Sequence, residues 1–331
     1  VGLLPSPNGH DPCRHPQRAL EARNLVLNKM ADEGRLSLEA AREARRRPIQ
    51  LSPKACSQVN AGTAPFYSDQ VRRDLTALVG PEVAAEGNFL IETHLDPVLQ
   101  SVVVRELQTL LKGSADRGVG QGAAVVLDSR NGGVLAIAGG RDYRFSQFNR
   151  ATMALRQPGS TFKLMTYLAA LERGISPGTK LNCEELDWGG QTFESTCKGE
   201  LTLLSAFAFS NNTAALRLSR RIGLESVVRQ ARALGITTPL DPVPGLALGQ
   251  SEVRLIELTS AYAAVANDGL WHPPTTIRRL VDAETCTAEQ ARSCRSLTAT
   301  GSGTLNAERR VVRPETAKRM QTLLQAVVRN G

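Results

Sequence analysis

Aromatic residues are scarce, 4% of the 331-residue chain, and nowhere do they interleave with a basic motif. A nucleic-acid partner therefore lacks its stacking platforms. The net charge of +8 is mostly arginine spread along helical segments, with a cluster at Arg42, Arg45, Arg46 and Arg47, and suits an anionic membrane surface better. Also missing is any run of about 18 apolar residues, so nothing in the chain as written spans a bilayer. The 41% hydrophobic content is ample for a core. No Cys-x-x-Cys spacing occurs, which excludes the usual zinc and dithiol redox patterns. The six cysteines instead fall as Cys183 with Cys197, Cys286 with Cys294, and the more distant Cys13 and Cys56. Short Gly-rich or Ser-rich loops closed by cysteines suggest disulfides and an oxidising, extracytoplasmic compartment; free thiols in a cytosolic protein are the alternative. A starting methionine and a signal peptide are absent too, and the chain stops straight after an amphipathic helix, so both ends read as cuts.

Periodicity supplies the elements. Gln17 to Glu33 reads as a helix closed by Gly34, and an Arg-rich helix begins near Ser37; together they form a hairpin too small for a core of its own. After a linker-like stretch from Pro48 to Pro65, helices are expected over 66–78 and 96–111 and a strand over 88–93. Ala123 to Leu127 and Val134 to Ala138 are apolar strands joined by a turn at Asn131-Gly132-Gly133. Helices follow over about 203–209, 213–221, 224–234 and 252–266, then a strand over 276–281 and a last helix over 315–328. Strands at the edges with a helical middle predict an α+β, or mixed α/β, fold.

Between these elements lies Arg156-Gln157-Pro158-Gly159-Ser160-Thr161-Phe162-Lys163-Leu164, continuing as an almost wholly apolar helix to Gly174. The Pro158-Gly159 turn delivers Ser160 to the first helical turn, and Lys163, three residues on, shares its face. Unpaired N–H groups and the dipole at a helix start favour developing negative charge, and a hydroxyl with a nearby amine there has the parts of an acylatable serine. Ser-x-x-Lys alone is a weak pattern, since a serine at a helix start is usually a cap. The chain holds a second copy, Ser195-Thr196-Cys197-Lys198, in what reads as a Gly-rich loop between Cys183 and Gly199 with no helix to present it. Context therefore favours Ser160. Fifty residues later Ser210-Asn211-Asn212 marks a helix-to-helix turn; read without further context it is a cap for the next helix.

In this order, the Ser160 to Lys163 motif, Ser210-Asn211-Asn212, Leu248-Gly249-Gln250-Ser251-Glu252-Val253 and Ala261-Tyr262-Ala263-Ala264-Val265-Ala266-Asn267-Asp268-Gly269 resemble the transpeptidase domain of penicillin-binding proteins. Arg23-Asn24-Leu25-Val26-Leu27-Asn28-Lys29-Met30 with Gly34, and Pro5-Ser6-Pro7 with Asp11-Pro12, resemble the end of the glycosyltransferase domain of class A, bifunctional members. The cysteine-bounded loop around Leu186-Asp187-Trp188-Gly189-Gly190-Gln191 is similar to cyanobacterial members.

The resemblance implies a penicillin-binding-protein/serine β-lactamase-like fold, incomplete at its C-terminus and preceded by a helical remnant. Residues 1–48 would be the glycosyltransferase remnant, 49–118 a linker region and 119–331 the transpeptidase domain. Its chemistry would be D,D-transpeptidation of D-Ala-D-Ala stem peptides. Ser160 would be the nucleophile, Lys163 its base, Ser210 a proton shuttle and Asn212 a substrate-amide ligand, with no cofactor or metal. The implied partners are stem peptides, glycan strands, β-lactams and the inner membrane surface reached through a preceding segment, at the periplasmic face; nucleic acid is not among them. The family's third motif, Lys-Thr-Gly or Lys-Ser-Gly on a strand lining the cleft, occurs nowhere in these residues. With it go a carboxylate-binding lysine and a second oxyanion donor, and loss of one such donor costs roughly a hundredfold or more. A serine β-lactamase and a non-catalytic penicilloyl-binding sensor or scaffold are the alternatives.

Overall fold

The computed structural model describes residues 10–13, 15–51, 64–282, 294, 296–297 and 307–331. The chain forms two compact units, Val1–Thr63 and Ala64–Gly331. In the first, α1 (Pro16–Asp32) opens with proline in its first turn, where no N–H is missed, and α2 (Leu38–Arg46) is capped by the Ser37 hydroxyl, which accepts from the Ala40 N–H. Arg23 joins the two by donating to the carbonyls of Arg45 (3.1 Å) and Arg47 (2.7 Å). Ala19 and Ala41 are the only buried apolar residues among those described in this unit.

The second unit begins with α3 (Pro65–Val79), α4 (Pro81–Glu86), β1 (Phe89–Thr93) and α5 (Pro97–Lys112), then the hairpin of β2 (Ala124–Leu127) and β3 (Val134–Ala138). A 3-10 turn, Gly159–Phe162, runs into α6 (Lys163–Glu172). Next come β4 (Lys180–Asn182), β5 (Leu186–Trp188), β6 (Gln191–Phe193) and β7 (Glu200–Thr202), followed by α7 (Leu203–Ala208), α8 (Asn212–Ile222) and α9 (Leu224–Ala233). A second 3-10 turn, Pro244–Leu248, precedes α10 (Leu255–Ala266), β8 (Leu270–Trp271), β9 (Ile277–Asp282), β10 (Arg309–Arg310) and α11 (Pro314–Asn330). The mixed helix and strand character follows the reading of the sequence.

Residues 64–118 are integral to this unit. β1 pairs antiparallel with β9 from Phe89 opposite Asp282 to Thr93 opposite Ile277. The Asp74 carboxylate accepts from the Thr276 N–H (2.8 Å) and hydroxyl (2.6 Å), and the Tyr67 hydroxyl donates to the Val134 carbonyl at 2.7 Å. Buried Gln100 bonds β3 twice: its Nε2 donates to the Ile137 carbonyl and its Oε1 accepts from the Ile137 N–H, both at 2.8 Å.

The core is organised around α6, whose residues from Lys163 through Leu171 are all buried. A helix apolar on every face belongs inside, and here α7, α8, α9, α10 and α11 surround it with residues such as Phe207, Leu218, Val227, Val265 and Leu323. Tyr167 meets Phe207 edge-on, ring centroids 4.8 Å apart. Gly174 takes the left-handed φ of 81° expected at the end of this helical segment.

The loop expected between Cys183 and Gly199 is instead partly a hairpin. β5 and β6 turn at Gly189-Gly190, whose φ angles of 64° and 75° give the double left-handed turn that suits strand twist. Leu186, Trp188 and Phe193 then pack against Leu216 and Ala247. Cys183 and Cys197 are joined by a disulfide. Cys13 and Cys294 are also disulfide-bonded; the partners expected for them, Cys56 and Cys286, lie outside the described residues.

Candidate active site

Pro158-Gly159 turns the chain so that Ser160 lies exposed in the 3-10 turn ahead of α6. Neighbours on several sides fix this turn. The Thr161 hydroxyl donates to the Pro158 carbonyl at 2.6 Å, and the Tyr262 hydroxyl of α10 donates to the Thr161 carbonyl at 2.9 Å. The Lys163 N–H donates to the Ser160 carbonyl. Arg156 and Val253 exchange backbone hydrogen bonds at 3.1 and 2.9 Å, and the Gly159 N–H donates to the Gly249 carbonyl at 3.3 Å. A Cβ on Gly249 would lie 2.1 Å from the Gly159 carbonyl oxygen, so only glycine lets the two backbones come this close. The segment around Leu248-Gly249-Gln250 thus braces the turn that carries Ser160.

One turn further on, the Lys163 side chain is 1% exposed. Its Nζ donates to the Ser210 carbonyl at 2.6 Å, to the Ser210 hydroxyl at 2.9 Å and to Asn212 Oδ1 at 2.7 Å. An ammonium has three protons, and three acceptors meet them. Burial, which disfavours the charged form, lowers the Lys163 pKa to about 8.

The acceptors are delivered by a helix-to-helix junction. α7 ends in a Schellman arrangement: the Ser210 N–H donates to the Phe207 carbonyl (3.0 Å) and the Asn211 N–H to the Ala206 carbonyl (2.9 Å). Ser210 sits at the left-handed position of that motif, φ 53°, where glycine is usual. A side chain held there costs of order 1–3 kcal/mol, which points to a role beyond the turn. Asn211 caps α8, its Oδ1 accepting from the Ala214 N–H at 2.8 Å. The capping role read from the sequence therefore belongs to Asn211, while Ser210 and Asn212 address the lysine. Ser210 and Asn212 also line a cleft of about 550 Å³ whose other wall includes Glu185, Glu194 and Thr196 of the disulfide loop.

The structure thus brings Lys163, Ser210 and Asn212 together. Among the described residues no hydrogen bond links the Ser160 hydroxyl to any of them; Ser160 shares the approach to Lys163 only through its place in the turn. The rival Ser195 hydroxyl is committed elsewhere, donating to the Cys183 carbonyl at 2.7 Å and accepting from the Cys197 N–H at 3.2 Å. Tyr262 and Gly249 had no role assigned from sequence. Gly249 falls in a segment that shows the resemblance, and Tyr262 is the one aromatic side chain in an Ala-rich helix, the signal that marks it.

The profile of the penicillin binding protein transpeptidase domain matches residues 122–331. The chain belongs to the penicillin-binding protein transpeptidase family. Among curated relatives, penicillin-binding protein 2D of Bacillus subtilis is 33% identical over 295 residues, covering 86% of this chain and 42% of that protein. The chain spans half or less of the length of the first curated relatives it matches. The structure of PonA1 from Mycobacterium tuberculosis in complex with penicillin V aligns with a TM-score of 0.62 at 25% identity, covering 77% of this chain and 68% of that one. Penicillin-binding protein 1A from Haemophilus influenzae shares the fold over 100% of this chain and 67% of its own, TM-score 0.67 at 19% identity. The matches to penicillin-binding proteins 1A and 1B place the transpeptidase domain among class A members.

Proposed function

We propose that this transpeptidase domain works as a serine D,D-acyltransferase in cell-wall cross-linking. The observation that carries the reading is the buried Lys163 amine, lowered in pKa by its burial and bonded to both Ser210 and Asn212 one turn after an exposed Ser160. Neutral Lys163 accepts the Ser160 proton as Oγ attacks the carbonyl of the penultimate D-Ala of a stem peptide. The Ser160 N–H at the helix start faces the developing oxyanion. As the tetrahedral intermediate collapses, the C–N bond to the terminal D-Ala breaks, and Ser210 passes the proton from Lys163 to the departing amine. An ester on Ser160 remains. An acceptor amine from a neighbouring strand then attacks that ester, loses its proton to the same relay, and Ser160 is regenerated. Asn212 binds the peptide amide of the donor. A β-lactam acylates Ser160 by the first half of this sequence.

Residues 1–48 are assigned to the end of a glycosyltransferase domain; the helical pair of α1 and α2 is compatible with that assignment. Residues 49–118 are the linker region of the sequence, and its part from Ala64 onward packs within the same unit as the catalytic region beginning near 119. The site lies on the extracytoplasmic side of the membrane, the compartment that the disulfides favour. Among the described residues no helix is long and apolar enough to cross a membrane.

The test is labelling of the full-length protein with a fluorescent penicillin, followed by peptide mapping. The expected adduct lies on the peptide containing Ser160, and Ser160→Ala removes it. No adduct, or an adduct on the Ser195 peptide, overturns the assignment. Label lost within minutes identifies a β-lactamase, and stable label without cross-linking of lipid-linked glycan identifies a sensor.

A further inference from the structure

The Cys183–Cys197 loop and α8 grip one another at two points immediately after the Ser210-Asn211-Asn212 junction. Thr213, 1% exposed, donates its hydroxyl to the Cys183 carbonyl at 2.7 Å, and the same carbonyl accepts from the Ser195 hydroxyl at 2.7 Å. Four residues on, Arg217 donates to the carbonyls of Glu184 (2.6 Å) and Glu185 (2.7 Å). Residues four apart share a helix face, so α8 presents a single edge of donors to a run of loop carbonyls. The loop end is itself held, because the Cys183 N–H donates to the Gly199 carbonyl at 3.0 Å and the disulfide ties Cys183 to Cys197.

Thr213 also adjoins the junction. Its hydroxyl oxygen lies 3.1 Å from Asn211 Oδ1, the atom that caps α8, and Asn212 is its immediate neighbour in the chain. A shift of the α8 start therefore moves Asn212 directly and Ser210 through the strained turn. Shifts of about an ångström at such groups are enough to cost a large factor in rate.

We propose that Thr213, anchored on the disulfide loop, is a positioning residue for Ser210 and Asn212, and that the loop acts on acyl transfer through it. The proposal rests on the acyl-transfer reading above. Thr213 and the loop line the same cleft as Ser210 and Asn212 but carry no proton in the relay described above. They set where the hydroxyl of Ser210 and the carboxamide of Asn212 meet the Lys163 amine. The Ser195-x-x-Lys198 pattern is then explained as part of this anchor.

The experiment measures the second-order rate of fluorescent-penicillin acylation from pH 6 to 10 in the full-length protein, with thermal unfolding recorded for each variant. Thr213→Val keeps the shape and removes the donor. It is expected to lower the rate five- to twentyfold and to move the midpoint of the pH profile upward, because loosened packing rehydrates Lys163. Thr213→Ser restores the donor and is expected to lie within about threefold of the unaltered protein with its pH midpoint. The pair Cys183→Ala with Cys197→Ala is expected to reproduce the direction of Thr213→Val. A folded Thr213→Val protein with unaltered rate and pH midpoint overturns the proposal, as does a Thr213→Ser protein as slow as Thr213→Val. If the unaltered protein takes no label at any pH, the acyl-transfer reading itself fails and the proposal with it.

Discussion

A lysine surrounded by core and holding three acceptors is a base only in the minority form. With its pKa lowered to about 8, roughly a tenth of Lys163 is neutral at pH 7 and most of it above pH 9. Acylation by penicillin is therefore expected to rise about tenfold from pH 7 to 9 with a midpoint near 8, followed by stopped-flow fluorescence. A profile flat across that range rules out Lys163 as the titrating base. The same shift acts on stability. Between about pH 8 and 10.5 the unfolded chain binds the lysine proton that the folded protein has given up, so unfolding free energy rises with pH across that window; below pH 8 both states are charged and the dependence vanishes. The spacing of Ser160 and Lys163 and the order of Ser210 and Asn212 were legible in the sequence, since short motifs carry their own geometry. The bonds from Tyr262 to Thr161 and from Gly249 to Gly159 were not, because they depend on how segments about a hundred residues apart come to lie side by side.

Elements followed periodicity closely where a single face or a full burial governs. The helix expected over 66–78 is α3 (Pro65–Val79), and the strand over 88–93 is β1. The β5–β6 hairpin was missed because three-residue strands have too few residues to show alternation, and Gly189-Gly190 alone carried the signal. What secures β3 was equally hidden. Gln100 looks like one polar residue in an amphipathic helix, yet its amide meets both backbone groups of Ile137. Gln100→Leu leaves a buried N–H and a buried carbonyl without partners, each worth about 1–3 kcal/mol. Urea unfolding is expected to show a loss of about 2 kcal/mol or more; a loss below about 0.5 kcal/mol means that water or another group replaces the amide.

For the molecule as a whole, α11 closes the core against α6, α7 and α10 with Met320 and Leu323 fully buried. Leu323→Ala is expected to cost about 2–5 kcal/mol in equilibrium unfolding of the Ala64–Gly331 unit, with penicillin acylation falling as α6 loosens. A change under about 1 kcal/mol indicates that α11 packs only peripherally. The sequence marked a linker region over 49–118 by composition, and the place of residues 64–118 inside the second unit was not legible in it. The contacts that decide that place, such as Asp74 with Thr276, join residues some two hundred positions apart. The ring closed by Cys183 and Cys197 has one more consequence. Its tip, Gly189-Gly190, is exposed, and it is the natural place for a protease to cut. A chain clipped there keeps both pieces joined through sulfur, so its mass grows by that of one water and its band on a non-reducing gel stays intact, while reductant parts it in two. A nicked yet undivided polypeptide is the fingerprint by which limited digestion would find this loop.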